Sequence, residues 1–214
     1  CGSYTAQYDH VWYDKALSRY FALLGTNDPV CWWLKKADRG SYRESHRTQC
    51  IDFNANRKSR FPSIGDNGFF IKKSVLDKTP INPKTHFVID VAKDLQKIGY
   101  AKYYVVATQK LWHRTGESWW VYLKKRWRYA DNLYFKRLKD RRWVMVETKR
   151  DWAMVVLFAL CSITIIPHLV YAILGYRRVH DWAWFIHPWA CLLMTALYGL
   201  LVVKHLFRQA LLFQ

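Results

Sequence analysis

His86-Phe87-Val88-Ile89-Asp90, then Val91 to Ile98, then Gly99 and the run Tyr103-Tyr104-Val105-Val106-Ala107 form the stretch on which the reading of this chain turns. Residues 91–98 predict a short helix that Gly99 ends. The aromatic and β-branched residues 103–107 predict a strand, with His113 and Arg114 at its far end. Upstream, Gly65-Asp66-Asn67-Gly68-Phe69-Phe70-Ile71-Lys72-Lys73 reads as a glycine-bracketed turn leading into a short apolar strand and a basic pair. Strand, helix and strand in this order predict an α/β layer.

Beyond this layer the chain changes character. From Trp152 to Tyr176 there is no Lys, Arg, Asp or Glu, and the same holds from Trp182 to Val203. Each run exceeds the roughly 20 residues that a helix needs to cross a bilayer core. The seven residues Gly175 to Asp181 between them allow only a tight hairpin, so both outer ends are expected on one side. Lys149-Arg150 and the basic residues before them predict that this side is the cytoplasm, and Arg177 and Arg178 argue the other way. A shallow re-entrant hairpin is the alternative. Trp152, Trp182, Trp184 and Trp189 stand where an aromatic belt would be, while Pro167, His168, His187 and Pro188 interrupt the two runs.

Between the two regions, residues 117–138 place Trp119, Trp120, Leu123, Trp127, Ala130 and Tyr134 on one helical stripe, with Lys124, Lys125, Arg126, Arg128, Lys136 and Arg137 on other faces. Such a helix either lies in the headgroup plane or packs on a core with its basic side in water; two apolar runs close behind it favour the interface. Toward the N-terminus, Val11, Trp12, Leu17, Tyr20, Phe21 and Leu24 share one helical face that Gly25 stops. Thr26-Asn27-Asp28-Pro29 then reads as a turn, and residues 41–60 as a long polar loop.

A hydrophobic fraction of 51% and 12 tryptophans sit beside a net charge of +18. Since Arg177, Arg178, Lys204, Arg208 and Asp181 are the charged residues after Asp151, the positive charge belongs to the first part of the chain. Anionic headgroups, phosphorylated substrates and nucleic acid would all answer to it. Nucleic acid is set aside, because no zinc-finger, RRM or helix-turn-helix pattern is present. Five scattered cysteines without a CxxC pair argue against a disulfide framework and against a zinc site, and fit a reducing compartment. Cys1, in place of methionine and without a signal-like segment after it, predicts a chain cut at its N-terminus; Cys1-Gly2-Ser3 would also suit a lipoprotein start.

The glycine turn, aromatic strand, basic pair, acidic helix start and closing Gly99-Tyr100 resemble the acceptor half of family 2 glycosyltransferases. Lys125-Arg126-Trp127 then stands where that family has a basic-Arg-Trp motif on an interface helix, and apolar hairpins follow in its membrane members. The resemblance covers nearly the whole chain. It implies a partial GT-A-like (Rossmann-like) α/β acceptor half over residues 1–115, an amphipathic interface helix and linker over 116–150, and a two-helix transmembrane hairpin over 151–214. Two departures stand: the helix opens with Ile89-Asp90 where the family has Glu-Asp, and the basic-Arg-Trp motif lacks its glutamine. The nucleotide-binding half, with its Asp-x-Asp, has no counterpart in these residues, so this portion alone is expected to be inactive.

What the resemblance implies chemically is an inverting transfer from a nucleotide-sugar donor to a lipid or glycan acceptor, such as a polyprenyl phosphate, on a multi-pass membrane protein with its catalytic part in the cytoplasm. Such a transfer needs a carboxylate to deprotonate the acceptor and positive charge beside the departing diphosphate. Asp90 is the candidate base, or the N-cap of the helix after it. Asp66 and Asn67 are candidates to line the acceptor pocket, and Asp66 suits a structural turn equally. Arg126 and Trp127 are candidates to touch the diphosphate or the sugar, with the interface helix as their other role. His113 is a candidate to complete the shell of the divalent metal (Mg or Mn) that the family implies, or else merely ends a strand. A non-catalytic basic membrane anchor or scaffold is the competing class.

Overall fold

A computed structural model describes residues 4–10, 15–36, 42–44, 48–52, 69–80, 88–100, 102–113 and 118–212. Side chains are described for residues 15–34, 70–80, 88–100 and 118–211. Two compact units emerge, each discontinuous in sequence: Cys1–Asp9, Lys35–His113 and Asp140–Met145 form one, and His10–Leu34, Arg114–Lys139 and Val146–Gln214 the other.

In the first unit five strands, β1 (Tyr4–His10), β2 (Tyr42–Glu44), β3 (Thr48–Asp52), β4 (Phe69–Phe70) and β5 (Lys102–His113), run in the order β2-β3-β5-β1-β4. Two helices accompany them, α3 (Lys73–Leu76) and α4 (Val88–Lys97). Val75 packs against Val91 and Leu95, with Ile71, Leu76 and Tyr100 around them. The end of α4 explains Gly99-Tyr100. Gly99 takes φ +92°, its N–H bonds Gln96 O at 3.1 Å, and the Tyr100 N–H reaches back to Leu95 O at 2.8 Å. This is a Schellman motif, in which the ring after the glycine packs on the last turn of the helix.

The expected Rossmann-like α/β fold is not what forms. The fully described residues are 79% helical, and the β1–β4, β2–β3 and β3–β5 pairs are all antiparallel. A Rossmann-like layer needs parallel neighbours joined by crossover helices, whereas β5 lies antiparallel to β3, and β3 belongs to the segment expected as loop. Val88, Ile89 and Asp90 also open α4 instead of preceding it.

The second unit is helical. It holds α1 (Ala16–Leu24), α2 (Pro29–Lys36, whose last two residues fall in the other unit), α5 (Trp119–Ala130), α6 (Lys149–Thr164), α7 (Ile166–Arg178) and α8 (His187–Leu212). A π-helical turn, Asp131–Lys136, prolongs α5, and a 3₁₀ turn, Trp182–Ile186, leads into α8. Gly25 ends α1 at φ +71°, donating its N–H to Phe21 and Ala22. Ser118 caps α5, and Thr148 with Asp151 forms a capping box on α6.

Helix α5 buries Tyr122, Arg126 and Ala130, a face continued by Leu133 in the π turn. Ala130, Leu197 and Leu201 meet at the α5–α8 contact, flanked by Leu123 and Trp127. Trp119, Leu123 and Trp127 are therefore the shoulders of a core-packed face, while Trp120, 74% exposed, points away beside Lys124 and Lys125.

The apolar tail departs from a simple hairpin. Helices α6 and α7 meet at 85°, with Ile165 at φ +63° between them. Pro167 is the cause: it tolerates the first turn of a helix and not its interior, so the run Trp152–Tyr176 breaks there. Residues Trp182–Leu211 remain long and apolar enough to cross a membrane, and the bent α6–α7 pair is a second candidate if counted as one broken span. One or two helices could thus span. In the apolar part of the long helix 28% of residues are buried, unlike a soluble core helix, which is mostly covered. Leu160 and Ile163 on α6, Val170 and Leu174 on α7, and Val203 and Phe207 on α8 all face outward.

Candidate functional site

Asp90 is the third residue of α4 and wholly buried, at 0% exposure. Its Oδ1 accepts the backbone N–H groups of Arg142 (3.1 Å) and Trp143 (2.8 Å), and its Oδ2 lies 2.8 Å from Arg141 Nε. One turn later Asp94 pairs with Arg142. The two carboxylates thus clasp the segment 141–143 to α4. Burial raises the Asp94 carboxyl above its ordinary value, although Arg142 pulls it down. Asp90 is accordingly a buried side chain held by residues 141–143 inside the unit, not the helix cap and not, in this arrangement, a base facing an open cleft.

The remaining sequence candidates separate. Asp66 and Asn67 lie outside the described residues, and so does the side chain of His113. Arg126 is buried and spent on the loop between α1 and α2: its Nε donates to Asn27 O at 3.2 Å, Nη2 to Asn27 Oδ1, and Nη1 lies 3.5 Å from Asp28 Oδ2. Burial works against the guanidinium's charge, but Asp28 together with Tyr198, Tyr122 and Cys31 outweighs it and holds Arg126 protonated more firmly than usual. Asp28 in turn accepts the Tyr198 hydroxyl at 2.7 Å and caps α2 through the Val30 N–H at 2.9 Å. Tyr122 donates to Asn27 O at 2.9 Å. Trp127 is half-buried beside Leu197 and Leu201, with Lys204 Nζ 5.5 Å over its ring.

Two clusters escaped the sequence reading. Asp131 lies within 2.9 Å of Lys136, Lys204 and His205; burial pushes its carboxyl up, but the three donors together prevail and hold it well below the usual carboxylate range. Lys204 closes an uncharged run that starts at Trp182, so a cation–carboxylate cluster sits where the long helix would leave hydrocarbon. The second cluster is His168, His187 and Cys191, all buried, with one ligand atom from each within 4.8 Å of the others. Imidazoles and a thiol do not suit the hard Mg or Mn ion that the resemblance implies, which takes oxygen ligands.

The chain matches no family model, no curated protein and no solved structure.

Proposed function

We propose that this chain is part of a membrane-bound glycosyltransferase, passing a sugar from a nucleotide-sugar donor to a membrane-associated acceptor such as a polyprenyl phosphate. The observation that carries the reading is the order of parts: an acidic helix closed by Gly99-Tyr100, a long strand, a helix bearing Arg126-Trp127, and apolar helices with outward hydrocarbon faces. Trp120, Val121 and Tyr129 are exposed on α5 beside Lys124, Lys125 and Arg128, a surface suited to the headgroup region. The uncharged run Trp182–Val203, at 1.5 Å per residue, covers about the 30 Å of a bilayer core. Basic residues upstream of α6 favour placing α5 on the cytoplasmic side.

In this reading Asp90 is the base, and Arg141 with the backbone of residues 142–143 must release it when acceptor enters. Arg126 orders the Asn27-Asp28 turn, and phosphate contacts fall to the exposed lysines of α5. The test is Asp90→Asn in the full-length protein, assayed for sugar transfer in membranes with its thermal midpoint followed alongside. Loss of transfer with the fold and membrane association kept supports the proposal; retained turnover removes it.

The burial of Asp90 favours a second reading, a basic membrane anchor without chemistry of its own. It expects Asp90→Asn to lower stability alone and liposome binding to follow the anionic lipid content.

A further inference from the structure

The geometry points to a zinc site built by His168, His187 and Cys191 in the helical unit. His187 and Cys191 lie one turn apart on α8, and Cys191 Sγ is 3.7 Å from His187 Nε2. A tetrahedral zinc ion with Zn–N near 2.0–2.1 Å and Zn–S near 2.3 Å separates two such ligand atoms by roughly 3.5 Å, so the pair is already spaced as a chelate. His168 arrives from α7 to supply the third donor, and the three side chains are at most 1% exposed.

The other ring nitrogens are already engaged, as metal-ligating histidines require. The Tyr20 hydroxyl lies 2.9 Å from His187 Nδ1, the nitrogen that a metal at Nε2 would leave protonated. His168 Nε2 is 3.2 Å from Ser162 Oγ, whose own hydroxyl donates to Phe158 O at 2.8 Å; the imidazole must therefore be the donor, and its Nδ1 keeps the lone pair. Trp32 and Tyr171 place their rings about 5 Å from that of His187. Two imidazoles and a thiolate select a borderline-soft cation over Mg or Ca, and three protein ligands leave a fourth position for an exogenous group. The site needs neither the transferase reading nor the other unit.

The experiment uses full-length protein in detergent, stripped of metal and titrated with Co(II) and then Zn(II). One Co(II) per chain is expected, with a thiolate charge-transfer band in the near ultraviolet and visible d–d bands of tetrahedral strength, both abolished by Zn(II). Cys191→Ser should lose the charge-transfer band and at least tenfold in affinity, and Zn(II) should raise the thermal midpoint of the unsubstituted protein but not of the variant. His187→Ala should bind no metal. Absence of tetrahedral Co(II) bands in the unsubstituted protein, or a Cys191→Ser variant that keeps both the spectrum and the affinity, overturns the proposal and leaves a hydrogen-bonded structural cluster.

Discussion

Arg126 and Asp28 form a buried ion pair, 3.5 Å apart, that ties the loop between α1 and α2 to the middle of α5. Removing one member leaves the other charged and without its counter-charge inside the helical unit, which costs about 3–5 kcal/mol. Arg126→Ala and Asp28→Ala should each lower the thermal midpoint in detergent sharply. Arg126→Met with Asp28→Asn should recover much of that loss, since the desolvation cost disappears with both charges while the asparagine can still cap α2 and accept from Tyr198. A double variant as unstable as the singles would show that the pair is not the origin of the effect.

Acid should loosen the α8 contact with the π turn. Because Lys136, Lys204 and His205 hold the Asp131 carboxyl below its ordinary range, its contribution is complete above the unfolded value of about 4 and fades as pH falls through the folded one. Thermal midpoints should therefore drop below about pH 5. Asp131→Asn should start lower at neutral pH and show a shallower acid slope; an unchanged slope would assign the acid sensitivity elsewhere.

Gly175 meets the Trp184 indole so closely that a Cβ would overlap the ring carbons. Gly175→Ala should destabilise by about 1–3 kcal/mol through overpacking, as α7 is pushed from the 3₁₀ turn. Gly199, whose added Cβ meets nothing within 4 Å, is the control: Gly199→Ala should be neutral or slightly stabilising. Equal effects at both positions would contradict the packing described.

Local signals were readable where one element suffices. Gly25 and Gly99 end helices as their positions predict, and residues 103–107 lie within β5. Pairing was not readable: the antiparallel partner of β5 is Thr48–Asp52, a polar segment whose composition says loop. The break at Ile165 was signalled by Pro167, but proline is common enough in lipid-facing helices that the run looked continuous. Asp28-Pro29 carried a helix-start signature, an N-cap followed by proline, yet its turn character masked it. Counting cysteines missed the His168–His187–Cys191 group, because two of its ligands are histidines and one arrives from another helix. Asp90 was singled out for its place at a helix start, and only the fold revealed Arg141 against it.

In a membrane-bound chain the helical unit presents its outer apolar face to lipid, and an environment-sensitive fluorophore on single cysteines tests this most directly. Placed at Ile163, Val170 and Val203 in the full-length protein in bilayers, the probe should be quenched by spin-labelled acyl chains and left unaffected by aqueous iodide. Strong iodide quenching at all three positions, with none from the lipid chains, would contradict it.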